Sequence, residues 1–504
     1  MSSHSFSRRH FFCGSLLAGA VPAGGFGSAP SLKALGYKSP NEKLNIAAIG
    51  AGGKGASDIA GCMTENIVAL ADVDSKRAER TFLRFENIPK YTDFRRMFDK
   101  QGNEIDAVIV ATPDHMHAAA TLWAMERGKH VYCQKPLTRT IAEARLLASA
   151  AAKYKVATQM GNQGYSNEGT RQCAEMIWAG EIGNVTEVHA WTNRPIWPQG
   201  LTELPPEAPV PETLDWDNWL GVAAMRPYSS AYAPFNWRGW YDFGCGALGD
   251  MACHILGAPN MALMLSAPTS VECIRKDGTS PFTFPKKSVI RFDFPARGSM
   301  PPVKIFWYDG MTGAPALPVT IPAGELLGDI PRSMMVELGL AVERPDFSPA
   351  GVGFGQGGGR RPDAAPAKPA TAPPKRAMGE NAVIPPNSNG SLFVGDKGLI
   401  TTGTYGAGTR LLPVAKMKDY KFSPQFLTRS PGHYRDWIRA AKGGERACSD
   451  FSIAAPFTEW ILLGTLALRF EGKLDWDSAK MRVTNVPEAN QYIRPKFRKG
   501  WNIS

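Results

Sequence analysis

Asp250 and His254 lie four residues apart in the run Gly244-Cys245-Gly246-Ala247-Leu248-Gly249-Asp250-Met251-Ala252-Cys253-His254. On a helix they share one face. Imidazole titrates near neutrality, and a neighbouring carboxylate tunes and orients it. The pair therefore suits proton transfer, such as removal of the hydroxyl proton when an alcohol is oxidised. Alone, Asp-x-x-x-His is more often a surface pair or a satisfied core pair. A metal centre needs a third ligand, and none stands at zinc spacing, so no metal is expected.

Alcohol oxidation also needs a hydride acceptor, and a second motif points to one. Leu44-Asn45-Ile46-Ala47-Ala48-Ile49 runs into Gly50-Ala51-Gly52-Gly53-Lys54-Gly55. A second apolar run, Ile67 to Ala71, ends on Asp72. Strand, Gly-x-Gly-x-x-Gly, helix and an acid about 20 residues on is the dinucleotide fingerprint in its expected context. Gly50 permits the tight turn, Gly52 lets backbone approach a pyrophosphate, and Gly55 lets the helix pack close to the strand. Gly53 belongs to the same phosphate-facing turn. The helix N-terminus offers free N–H groups to phosphate. Asp72 would accept hydrogen bonds from the adenosine ribose. It favours NAD, while Lys76 and Arg77 nearby keep NADP open. The bland alternative is a doubly wound domain without a nucleotide.

These motifs need a scaffold. Residues 43–162 alternate strand and helix patterns, with strands at Leu44–Ile49, Ile67–Ala71, Ala107–Ala111, His130–Cys133 and Val156–Met160. Helices fall near Ala56–Thr64, Ser75–Phe85, Met116–Arg127 and Ile141–Tyr154. Such alternation predicts a parallel, doubly wound sheet. Ligands bind at the carboxyl ends of its strands. Val110-Ala111-Thr112-Pro113-Asp114-His115-Met116-His117 and Cys133-Gln134-Lys135-Pro136-Leu137 end the third and fourth predicted strands, where a cofactor's reactive ring should lie. Lys135 alone would most often be solvated. Asn162 and Gln163 follow the last strand and could face the ring or substrate.

After Gly161 the pattern changes. A helix at Gly169–Ala179 leads to a strand at Val185–Thr192. Further strand-like runs are Ser270–Arg275, Ser288–Phe294, Val303–Tyr308, Ser391–Val394 and Gly398–Thr402. Residues 163–504 therefore read as an α+β substrate domain with an open, largely antiparallel sheet. Leu462–Phe470 reads as a packed helix. Asn193, Arg194 and Trp197 lie upstream of the Asp250 segment, and Trp237, Arg238 and Tyr241 just before it. Aromatic faces suit sugar stacking, and Arg or Asn suit hydroxyls. Packing of loops or of a subunit interface explains these aromatics equally well. Residues 345–390, dense in Gly, Pro and Ala, read as a disordered surface insertion.

With 43% hydrophobic residues the chain is globular. Its net charge of +11 is spread along the chain, and no dense Lys/Arg block argues for nucleic acid. A basic surface favours anionic substrates only weakly. Ser7-Arg8-Arg9-His10-Phe11-Phe12 before a short apolar run looks like a twin-arginine export signal within residues 1–30, which implies a periplasmic or extracytoplasmic destination. That apolar run is too short for a membrane span. The eight cysteines are scattered, with no Cys-x-x-Cys, and read mostly as small buried hydrophobes.

Together these motifs resemble the Gfo/Idh/MocA oxidoreductase family over residues 43–310 and 391–503. The resemblance implies that Lys135, Asp250 and His254 line a sugar site. His254 would accept the proton, Lys135 would polarise the reacting hydroxyl, and Asp250 would anchor substrate and tune His254. Pro113 and His117 would match the nicotinamide-side loop. Gln134 departs from the family, where Glu is usual, so a carboxylate beside Lys135 is missing. The expected function is an exported NAD(P)-dependent oxidoreductase acting on a sugar or glycoside. Outside the cytoplasm there is no obvious pool of free cofactor, so the cofactor should stay bound and be recycled in place. A redox-neutral glycosidase (oxidation, elimination, hydration, reduction) meets the same condition. A carbohydrate-binding scaffold is the non-catalytic alternative. A homo-oligomer is expected by family analogy.

Overall fold

A computed structural model describes residues 42–311, 315, 317–342, 388–422, 424–494 and 496–501. The expected leader at 1–30 lies outside them. So does the Gly/Pro/Ala-rich segment 345–390, except for residues 388–390, of which Gly390 is buried and opens a strand.

The first sheet has six strands: β1 (Asn45–Ile49), β2 (Asn66–Ala71), β3 (Lys90–Tyr91), β4 (Ala107–Val110), β5 (His130–Cys133) and β6 (Thr158–Met160). All pair in parallel, in the order β3-β2-β1-β4-β5-β6. The central strands β1, from Ile46 on, and β4 are apolar because helices cover both faces. Strand order reverses between β1 and β4, which opens a crevice at their carboxyl ends. Gly50 turns the chain there. Its φ is +85°, and a Cβ would stand 2.6 Å from the Ala111 carbonyl oxygen. The helix Lys54–Gly61 follows. A capping box of Thr140 and Glu143 starts the helix Ile141–Tyr154 just after the Lys135 segment.

The second sheet has nine strands. They are β7 (Val185–Trp191), β8 (Ser270–Asp277), β9 (Lys287–Phe294), β10 (Val303–Asp309), β11 (Gly390–Gly395), β12 (Leu399–Thr402), β13 (Arg410–Leu412), β14 (Lys473–Asp477) and β15 (Arg482–Val483). Their order is β13-β12-β11-β7-β10-β9-β8-β14-β15. Among the described residues only β7 and β10 of this sheet pair in parallel. The chain is thus α/β, with a Rossmann sheet and a largely antiparallel one, in a compact unit that begins at Lys43.

The helix Phe451–Ala467 covers the second sheet. Its Trp460 ring stands edge-on to Phe292 and Phe294, with centroids 5.1 and 5.4 Å away. It also reaches the first half, where the Phe451 amide donates to Thr158 Oγ1 at 3.0 Å. The helix His433–Ala441 packs Tyr434, Trp437 and Ile438 into the apolar cluster formed by Ile46, Ala48, Ile109 and Tyr132 of the first sheet. A segment far down the chain therefore completes the Rossmann core. Among the described residues no helix is long and apolar enough to cross a membrane.

Candidate active site

A cleft of about 1270 Å³ runs from the glycine turn to the helix Gly246–Ile255. Gly50, Gly52, Gly53, Asp72, Pro113, His117, Gln134 and Lys135 line it from the first half. Arg194, Trp197, Trp237, Arg238, Asp250 and His254 line it from the second, and Gln163 lies between.

The glycine turn fits a dinucleotide. The helix Lys54–Gly61 has Gly53 as its N-cap and no side chain capping it, so the positive end of its dipole meets the cleft that Gly53 and Lys54 line. Asp72 braces the turn by accepting from the Gly52 amide (2.9 Å) and the Asp74 amide (2.9 Å). Burial raises its carboxyl above the usual range, and these two amides oppose the rise. Thr112 Oγ1, also in the cleft wall, is buried without a hydrogen-bond partner. Gly55 faces β1 rather than the cleft.

The helical spacing does put Asp250 and His254 into one cleft, but they are not hydrogen-bonded to each other. Lys135 Nζ donates to the Asp250 carbonyl oxygen (2.6 Å) and to Oδ1 (2.9 Å). Arg238 Nε donates to the same Oδ1 at 3.2 Å. Burial would raise the Asp250 carboxyl, but Lys135 and Arg238 overcome it and hold the group well below the usual carboxylate range. Asp250 thus orients the cations and acts on His254 only through space. Burial and the Lys135 charge push His254 well below its ordinary pKa, so the imidazole is neutral and can accept a proton. Its Nδ1 is buried and unpartnered.

The Glu-to-Gln departure at position 134 has a counterpart. Gln134 Nε2 donates to Asp58 Oδ2 at 2.9 Å, and Asp58 is fully buried. The same carboxylate accepts from Tyr434 Oη (2.7 Å) and pairs with Lys54. A carboxylate therefore stands behind Gln134, one helical turn past Lys54.

Other expected residues fall differently. His117 lines the cleft, but its Nδ1 faces the Pro136 carbonyl (2.7 Å) and its Nε2 the Thr112 carbonyl (2.9 Å). Burial pushes its pKa down to about 4, so the neutral ring donates to one carbonyl and abuts the other. It braces the two strand-end loops against each other. Asn162 is buried with both amide atoms unpartnered. Gln163 donates to Tyr132 Oη at 3.2 Å. Asn193 does not line the cleft; its amide donates to Asn389 Oδ1 at 3.0 Å. Tyr241 lies in a separate pocket, under the Arg469 guanidinium at 3.6 Å, because its backbone turns away before the helix begins. Trp197 and Trp237 do reach the cleft, and Arg238 stacks on the Trp237 ring at 4.2 Å.

Tyr405 and Asp114 are among the cleft residues that escaped the sequence reading. Tyr405, in the loop between β12 and β13, stands edge-on to His254 with ring centroids 4.8 Å apart. No local pattern ties it to the site. Asp114 starts the helix Asp114–Met125 and faces the cleft, and its place beside Pro113 was the available signal. Burial pushes its carboxyl up to about 7, against the pull of Arg238. It therefore binds a proton in the fold that the unfolded chain releases near pH 4. The stabilisation is complete below that pH and is lost as pH rises through 7. Asp114→Asn should match wild-type stability at pH 4 and exceed it by about 1–3 kcal/mol at pH 8. Urea midpoints across that range check this, and a difference independent of pH would refute it.

Residues 44–162 match the model of an oxidoreductase family with an NAD-binding Rossmann fold. Residues 177–276 match an oxidoreductase-family C-terminal alpha/beta domain. Inositol 2-dehydrogenase 4 of Saccharopolyspora erythraea is 28% identical over 209 residues, covering 38% of this chain and 60% of that protein. Levoglucosan dehydrogenase of Pseudarthrobacter phenanthrenivorans is 26% identical over 188 residues, covering 37% of this chain and 40% of that protein. The chain thus spans less than two thirds of either relative. The solved WlbA dehydrogenase from Bordetella pertussis, in complex with NADH and UDP-GlcNAcA, has a TM-score of 0.53 at 12% identity, over 86% of this chain and 99% of that one. At that identity the likeness shows a shared fold.

Proposed function

Because the chain belongs to the Gfo/Idh/MocA oxidoreductase family and carries its NAD-binding domain, we propose that it oxidises a secondary hydroxyl of a sugar or glycoside with NAD. The observation that carries this reading is the Lys135–Asp250 ion pair at 2.9 Å beside a neutral, buried His254, in the cleft that begins at the glycine turn. The two relatives named above act, by their names, on inositol and levoglucosan, both polyhydroxylated rings.

When bound, NAD supplies the hydride acceptor. Gly52, Gly53 and the helix N-terminus would hold its diphosphate, and Asp72 its ribose. Lys135, fixed by two bonds to Asp250, has one N–H left for the reacting hydroxyl and lowers the cost of negative charge on that oxygen. His254 takes the hydroxyl proton. Trp197 and Trp237 flank the substrate, and burial of the cleft walls limits water. Export of the folded chain with NAD captive, and pairing of subunits, belong to this reading and rest on the leader motif and on family analogy.

The test is twofold. Denatured protein is examined by mass spectrometry for near-stoichiometric NAD, and holoprotein is offered a panel of sugars and glycosides while NADH absorbance is followed. Bound NAD with substrate-dependent reduction supports the reading. A chain that neither carries nor binds NAD overturns it. Tyr405 and Asp114 favour one second reading, the redox-neutral glycosidase, because elimination needs an acid–base group besides His254. Release of free sugar without net NADH would select it.

A further inference from the structure

Resting on the cleft as the substrate site, we propose that the substrate carries a carboxylate, bound by Arg194 with Arg238, so that the preferred sugar is a uronic acid or its glycoside. The charges of the cleft lead to this. At its substrate end stand three cations, Lys135, Arg194 and Arg238. Lys135 and Arg238 share the single carboxylate of Asp250. Glu168, on the same wall, is bonded to Arg429 at 2.8 Å, a guanidinium that also pairs with Glu175 at 2.6 Å. Asp114, the other carboxyl facing this end, is held partly protonated at neutral pH by burial. The three cations outnumber the carboxylate of Asp250 that they face, which suits an anionic partner.

Arg194 is the residue left without one. Its side chain makes no hydrogen bond or ion pair among the described residues, and its Nε is buried and unpartnered. A buried donor without an acceptor is costly, and the guanidinium fork matches the two oxygens of a carboxylate. Its backbone, by contrast, is tightly held. The Arg194 amide donates to Thr192 Oγ1 (3.2 Å), its carbonyl accepts from the Gly310 amide (2.6 Å), and Thr192 Oγ1 donates to Asn389 Oδ1 (2.9 Å). A side chain with no internal partner on a fixed backbone is arranged for a ligand. Arg238 is pinned by its stacking on Trp237, by Asp250 and by the Phe235 carbonyl (3.2 Å), which leaves its Nη2 without an acceptor among the described residues.

The test compares methyl hexosides with the matching methyl uronides and their methyl esters, using NAD-loaded full-length protein. The uronide should exceed its neutral counterparts at least tenfold in kcat/KM, and its KM should rise with ionic strength while theirs does not. Arg194→Met should cut the uronide-to-hexoside ratio at least tenfold, and Arg194→Lys should restore part of it. Equal use of acid and neutral sugars by wild type, with no salt dependence, overturns the inference and leaves the oxidoreductase reading intact. If no sugar is turned over although NAD is bound, the proposed reaction fails, and calorimetric binding of uronide against hexoside decides the inference separately. Uronide binding lost in Arg194→Met supports it, and no preference refutes it.

Discussion

Lys135→Met should lower kcat/KM about 1000-fold, or about 4 kcal/mol of transition-state stabilisation, while NAD affinity stays within about threefold of wild type. The ammonium touches Asp250 at two oxygens and faces the cleft, so its loss removes the group beside the reacting hydroxyl. Folding should survive, because Arg238 still bonds the Asp250 carboxylate. A second consequence separates catalysis from packing. Lys135 is the charge that most opposes protonation of His254. Without it the His254 pKa rises, and the acid limb of the residual pH–rate profile should move to higher pH. Turnover within tenfold of wild type, or an unmoved acid limb, would remove Lys135 from the mechanism.

Gly55→Ala should act at the opposite end and more crudely. A Cβ at this position would lie 1.8 Å from the Gly50 carbonyl oxygen and 3.2 Å from the Ala111 Cβ. Neither neighbour is a flexible side-chain tip, so the helix Lys54–Gly61 must lift from the sheet or the turn must open. We expect a loss of about 2–4 kcal/mol in stability and less than about a tenth of the wild-type NAD content. Thermal melts and nucleotide stoichiometry read both. A variant with wild-type melting and full NAD would show that the turn is not packed as described.

What could be read from the sequence was what depends on near neighbours. The apolar runs at β1, β2, β4 and β5 stood out because strands buried on both faces have no alternation to hide them. β3, two residues long, has no such run. The helix Phe94–Gln101 escaped because Phe94, Met97 and Phe98 sit among charged residues. The helix Phe451–Ala467 begins well before the predicted Leu462, its start marked only by Asp450 capping the Ser452 amide. In the site, spacing joined Asp250 to His254 but could not say that Asp250 bonds across the cleft to Lys135 and Arg238. Tyr241, close to the helix Gly246–Ile255 in sequence, turned away, while Tyr405, far from it in sequence, arrived. Chain proximity reports one face of one element; sheet order decides which faces meet.

The helix His433–Ala441 closes the apolar cluster of the first sheet with Tyr434, Trp437 and Ile438. During synthesis the nucleotide-binding half therefore emerges with an open, oily flank, and stays so until residues 433–441 have left the ribosome. Its maturation is gated by a helix synthesised long after it. A ribosome stalled or a chain clipped before residue 433 leaves a sticky fragment rather than a smaller working module.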